Sequence, residues 1–321
     1  MTLPKYINRP TGYDLALPGP YYQRDVTMRC YAFGADKTAL EKMCDRYLNI
    51  DGSASRYAPL SHHALMVFAN MDKVSCADPE MGSMQEIDAA LFVPVLRYEP
   101  GHLLPRGVEV FMPYLFVNSD WALVTGREGG LAFRKNLGLS FFDKTDSSGM
   151  PAANLLNHVE AWVVPERGVN SRLVRQRVIE LIGDHEDADI DKKHDSPSKL
   201  MEQVLESIAV HIAKDPLTAV MEVVLASHKK ASVNLPVVFL KQYRDAIDNT
   251  AAVMQEVFSA NSELPLSEFR GGGFISGAHK LKFGDPVSHP IASELGVAAD
   301  TELEVEFAFE LDCDFTMEVR Q

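Results

Sequence analysis

The sequence lacks most of the features that announce common site chemistries. Its four cysteines, Cys30, Cys44, Cys76 and Cys313, contain no CxxC pair, so neither a zinc knuckle nor a disulfide scaffold is expected. The ten histidines contain no HExxH, and no metal site is expected. His62, His63, His279 and His289 are read as turn or surface residues. "RGGGF" at 270–274 suits a mobile loop, but without a following helix or a Lys-Ser pair it is a weak phosphate cradle. Positive charge is scarce. Lys and Arg number 31 against 45 Asp and Glu, a net charge of −14, and long-range repulsion argues against nucleic acid or an anionic membrane as partner. No apolar run reaches the length of a membrane span, and the first twenty residues carry no apolar signal core. The expectation is a soluble protein of a reducing, cytoplasmic setting, with no cofactor.

What is present is an ordinary globular composition, 46% hydrophobic over 321 residues, enough for a sizeable core. "YYQRDVTMRCYAF" alternates like a strand, and Asp36 opens "DKTALEKMCDRYLN", a helix behind an N-cap. From about 62 to 164, short apolar stretches ("HALMVFANM", "AALFVPVLRY", "VEVFMPYLFVNS", "WALVTGRE", "LAFRKNLGLSFF", "HVEAWVVP") follow one another between turns. That succession predicts a mostly antiparallel sheet curled into a barrel or sandwich. "SRLVRQRVIELIG", "SKLMEQVLESIAVHIAKD" and "PLTAVMEVVLASHKK" read as amphipathic helices, with an acidic exposed loop after the first. Strand patterning returns at "LPVVFLKQY" and in "TELEVEFAFELDCDFTMEV". The reading is a single α+β domain over 1–321: a barrel with flanking helices and a helical insert at about 166–232.

One lysine stands out. In "GREGGLAFRKNLG", period-two alternation puts Phe133, Lys135 and Leu137 on one side and Arg134 and Asn136 on the other. If the first set faces inward, Lys135 sits among apolar neighbours; if the second does, its head is solvated. A free lysine titrates near ~10.4 and is almost wholly ammonium at neutral pH. A Schiff-base enzyme needs the neutral amine, and desolvation is one way to obtain it.

"MPYLFVNSDWALVTGREGGLAFRKNLG" resembles the signature of the acetoacetate decarboxylase-like superfamily, in which the first lysine of a pair is the Schiff-base nucleophile. The resemblance puts Lys135 in that position. Phe133, Arg134 and Asn136 take the family's tyrosine, proline and second-lysine positions, with one extra residue before the lysine. "GPYYQRDVTMRCYAFGADKTALEKM", "QEIDAALFVPV", "LPVVFLKQYRDAIDNTAAVMQEVF" and "HPIASELGV" are similar to other parts of the family. Together they cover most of 17–165 and 233–321. The resemblance implies a carbon–carbon lyase acting on a small keto acid or ketone, without cofactor, in a homo-oligomer. Glu86 takes the place of the acidic partner of the lysine, with Asp88 as the alternative because the spacing to Pro94 is longer here. The family's carboxylate-binding arginine falls on Val26, leaving Arg24 and Arg29 as substitutes. Phe133 and Tyr114 are candidate substrate contacts, Tyr114 and Phe116 equally core residues. Arg127 and Glu128, adjacent on an expected strand, are assigned to bracing. The runner-up activity keeps the imine and makes the enzyme an aldolase or dehydratase of pyruvate-like substrates. A barrel that binds a ligand without chemistry is the alternative of another class.

Overall fold

The computed structural model describes residues 15–129, 133–142, 156–183 and 232–319, together with Ser196, Lys199, Leu200 and Gln203. The first strand, β1 (Tyr21–Gly34), leads into α1 (Lys37–Tyr47). Asp36 caps α1 by accepting from Ala39 N at 2.7 Å, and its buried face carries Leu40, Met43 and Cys44. Then come β2 (Arg56–Pro59), β3 (His63–Cys76), β4 (Ser83–Tyr98) and β5 (Gly107–Val117). A second helix, α2 (Asp120–Glu128), precedes β6 (Lys135–Phe142), β7 (Leu156–Val163) and β8 (Val174–Gly183). The chain continues as β9 (Ser232–Asn234), β10 (Val237–Arg244), β11 (Ala252–Pro265), β12 (Phe269–Phe274) and β13 (His279–Phe283). It ends in the short helix α3 (Ile291–Leu295) and the 17-residue β14 (Leu303–Val319).

Among the described residues, fourteen strands join one mixed sheet. Among the described residues every pairing is antiparallel except those of β5 with β6 and with β10. β4 also pairs β5, and β14 also pairs β11, so the path of hydrogen-bonded neighbours returns on itself. Two apolar clusters occupy opposite faces. One, under α1 and α3, contains Phe33, Leu40, Phe68, Phe116 and Phe283. The other contains Tyr21, Cys30, Met71, Met84, Leu115 and Phe133. Gly296 shows why α1 and α3 sit together. Its φ is +68°, and a Cβ there would come 2.5 Å from Asp36 Cβ and 2.8 Å from Ala39 Cβ, so only glycine both ends α3 and lets α1 approach.

Several sequence expectations change. "WALVTGRE" forms α2, because Ser119 caps it by accepting from Ala122 N at 3.1 Å. Arg127 and Glu128 therefore lie on a helix, not a strand. "SRLVRQRVIELIG" supplies β8, which pairs β7 and β13, so this part of the supposed helical insert belongs to the sheet. The two later helices of that insert lie outside the described residues, apart from helical Lys199, Leu200 and Gln203. "RGGGF" is strand β12 against β14, not a loop. His63 and His279 are buried, not at the surface. All four cysteines are buried and free, and among the described residues no helix is long and apolar enough to cross a membrane.

Candidate active site

β4 carries the acidic half of the site. Its alternation puts Met84, Glu86, Asp88, Ala90, Phe92 and Pro94 on one face, and each of them lines a cavity of about 740 Å³. Glu86 pairs in register with Met71, and Asp88 with Ala69 on one side and Val117 on the other. A spacing of two on a strand thus aims both carboxyls into the same space. Both candidates line the cavity.

β6 carries the cation. Lys135 opens that strand in parallel register with Leu115 of β5. Phe133 and Lys135 are buried and line the cavity, whereas Arg134 is exposed. The inward set is therefore the one containing the lysine. Its Nζ donates to Glu86 Oε1 in a short, buried contact, with Lys135 and Glu86 only 6% and 3% exposed. The side chain reaches this point across α2. A Cβ on Gly126 would overlap Lys135 Cδ and Cε and lie 2.8 Å from Cγ. Gly126 is a groove for the lysine stem, a role that sequence reading missed although the glycine stands in the quoted "GRE". Arg127 fixes the backbone, donating to Lys135 O at 2.9 Å, and its own carbonyl accepts from Tyr243 Oη at 3.0 Å. Phe133 packs on Phe239 with ring centroids 4.7 Å apart.

The electrostatics are those of one cation between two carboxyls. Burial pushes the Lys135 ammonium down, but Glu86 and then Asp88 push it up, and the net direction is upward. The expected depression, mainly from burial, is corrected: the acidic pair outweighs the desolvation. Asp88 is held well above its ordinary value of 3.8 by burial and then by the Glu86 charge, with Lys135 opposing. Its Oδ1 is buried without a hydrogen-bond partner. Burial and the Glu86 charge thus favour the protonated form of Asp88 beside the Glu86–Lys135 pair.

The arginines proposed from sequence go elsewhere. A bulge in β1 sets Arg24 and Asp25 opposite the single residue Asp314 of β14, and Asp25 has φ +51°. This extra residue switches the cavity-facing set from Tyr21 and Gln23 to Met28 and Cys30. Arg24 is left on the bulge, 3.3 Å from Asp314. Arg29 faces the opposite side, 2.7 Å from Glu310. Neither lines the cavity; Arg97 and Arg106 do. Tyr114 points away as well, its Oη donating to Glu294 Oε2 at 2.6 Å, and with Phe116 it belongs to the cluster under α1 and α3. His62, His63 and Glu306 could bring metal-ligating atoms within 4.8 Å of one another. They lie off the cavity, however, and His63 is already bonded to Glu306 at 2.7 Å and Ser61 at 3.1 Å.

No protein-family model matches the chain, and no curated protein sequence matches it. Solved structures do. The acetoacetate decarboxylase of Legionella pneumophila aligns over 100% of this chain and 92% of its own at 13% identity, with a TM-score of 0.56. An acetoacetate decarboxylase-like enzyme from Sphingomonas wittichii RW1 aligns over 94% and 92% at 11% identity, with a TM-score of 0.52. The chain has the acetoacetate decarboxylase-like fold.

Proposed function

We propose that this chain is a lysine Schiff-base enzyme, a decarboxylase-like lyase acting on a keto acid or ketone. The observation that carries this reading is the contact of Lys135 Nζ with Glu86 inside an apolar cavity. Lys135 is the nucleophile. The closed ring of pairings acts as a barrel wall around it, and Phe133 forms part of the substrate surface.

The resting ammonium is no obstacle. Passing one proton from Lys135 to Glu86 converts the ion pair into amine and acid without changing the proton count of the three-group cluster. A low-dielectric cavity narrows the gap between the two forms, because the charged pair loses its hydration there. The amine then attacks the substrate carbonyl to give a carbinolamine. Glu86 returns its proton to the departing hydroxyl, so that water and a protonated imine form. In a β-keto acid the imine accepts the electron pair of the breaking C–C bond, carbon dioxide leaves, and an enamine remains. Asp88, raised by burial and the Glu86 charge, serves as the acid that protonates the enamine carbon. Hydrolysis restores Lys135 as the ammonium and releases the ketone, and Asp88 regains from solvent the one proton that the decarboxylation consumes.

The placement of Arg24 and Arg29 on other carboxylates favours a second reading with the same imine, an aldolase or dehydratase of pyruvate-like substrates. Incubation with methyl ketones in ¹⁸O-labelled water tests the shared step. Exchange of the carbonyl oxygen that depends on Lys135 supports an imine, and no exchange above the Lys135→Ala background overturns it. Carbon dioxide release from β-keto acids, set against aldol products from pyruvate, then separates the two outcomes. The resemblance also implies a homo-oligomer, to be measured by sedimentation.

A further inference from the structure

The cavity follows the length of β4. On β4 its wall is every second residue from Met84 to Pro94, followed by Arg97. On the antiparallel neighbour β5 the lining residues Leu115, Met112, Val110 and Val108 run past in the reverse order. Lys135 stands in register with Leu115, opposite Ala90, and its Nζ reaches Glu86 toward one end. Arg97 pairs with Gly107, next to exposed Arg106, at the other. The eight steps from Glu86 to Pro94 make a path of about 26 Å at the usual rise of a strand. A volume of about 740 Å³ along such a path is a passage of chain-like girth.

The lining chemistry has the same direction. On β4 to β6 and the turn before β5 the charged lining groups are Glu86, Asp88 and Lys135 toward one end and Arg97, Arg106 and Glu109 toward the other, with Glu263 added by β11. The lining residues of β4 and β5 between them, Ala90, Phe92, Pro94, Val110, Met112 and Leu115, are wholly apolar. Met28, Met71, Met84 and Met317 add thioethers to the walls, surfaces that adapt to a flexible ligand. A four-carbon keto acid would fill only the end beside Lys135 and leave the apolar stretch uncovered.

We propose that the substrate of Lys135 is a keto acid carried on a long unbranched apolar chain. Its carbonyl lies beside Glu86 and Lys135, and its chain runs along β4 toward the Arg97 and Arg106 end. This deepens the imine reading and rests on it. The test is calorimetric titration of the full chain with straight-chain methyl ketones of about four to about twelve carbons, paired with borohydride trapping of each. Burial of each added methylene predicts an affinity gain of about fourfold per carbon. Ala90→Phe, midway along β4, and Val108→Phe, nearer the far end, both shorten the longest chain that gains affinity, and Ala90→Phe does so at a shorter chain. Should Ala90→Phe fail to fold, Val108→Phe alone must still shorten that limit. Affinity that is flat with length, or a limit that Val108→Phe leaves in place, overturns the proposal. Equal trapping of short and long ketones with flat affinity does the same and leaves the imine standing. Length-dependent binding with no adduct on Lys135 overturns the imine reading instead, and with it the assignment of this ligand as the substrate of Lys135.

Discussion

Methionine at position 135 would keep most of the lysine stem and remove the cation that faces two buried carboxyls. Removing one partner of a buried pair costs about 3–5 kcal/mol, so Lys135→Met is expected to lose about that much unfolding free energy in urea at about pH 8. Asp88, whose carboxyl is raised, holds its proton more fully at lower pH, so part of the loss returns at about pH 5. A loss that is the same at both pH values would show that the carboxyls do not feel the lysine. In the parent protein the raised Lys135 contributes stability that is complete below its ordinary 10.5 and is lost as pH climbs through its higher folded value. Asp88 has the same sign for a different reason. Its folded value is raised above 3.8, so the native state holds a proton that the unfolded state releases. Its stabilising contribution is full below that pH and falls as pH rises toward the folded value. Asp88→Asn abolishes this fall. Relative to the parent, the variant is expected to gain stability as pH rises above about 3.8 in urea titrations, and a constant difference would contradict the raised direction. Alternation grouped Lys135 with Phe133 and Leu137 but left open which set faces inward, and only the family resemblance pointed to Glu86. The choice between Glu86 and Asp88 was not legible, because residues two apart on a strand share a face and both belong to the site.

At the scale of elements, α2 decides where the amine goes. Alanine at position 126 favours the helix by about 1 kcal/mol over glycine, which offsets part of the collision with the lysine stem. Gly126→Ala is therefore expected to unfold within about 1 kcal/mol of the parent while imine trapping slows about a hundredfold, the scale of a misplacement near 1 Å. Trapping at the parent rate would show that the stem has another route. This helix was misread because "WALVTGRE" is apolar enough for a strand and too short for periodicity to arbitrate. Ser119 followed by Asp120 was the available signal, a cap with an acidic first turn. β8 failed in the opposite sense. "SRLVRQRVIELIG" has helical spacing, but pairing with β7 and β13 overrides it, and Val178, Ile179 and Leu181 are buried in the sheet. The bulge at Arg24 and Asp25 has no local signature, and it alone redirects the arginine.

Across the whole molecule, the net charge of −14 coexists with an apolar interior that holds a single lysine among its lining groups. The strands that enclose the cavity come from both ends of the chain: β1 and β3 to β5 from the first part, β10, β11 and β14 from the last. That closure brings the described strands of the stretches at 17–165 and 233–321 into one sheet. It was visible as strand patterning on both sides of the middle segment, whereas the length of the cavity was not, since it arises from which faces meet. The central claim is that Lys135 forms an imine with a carbonyl substrate. Borohydride reduction in the presence of a long-chain methyl ketone, read by intact mass and peptide mapping, tests it most directly. The account predicts one ketone-sized adduct on the peptide containing Lys135, absent from Lys135→Ala. An unmodified protein, or an adduct that survives that substitution, would contradict it.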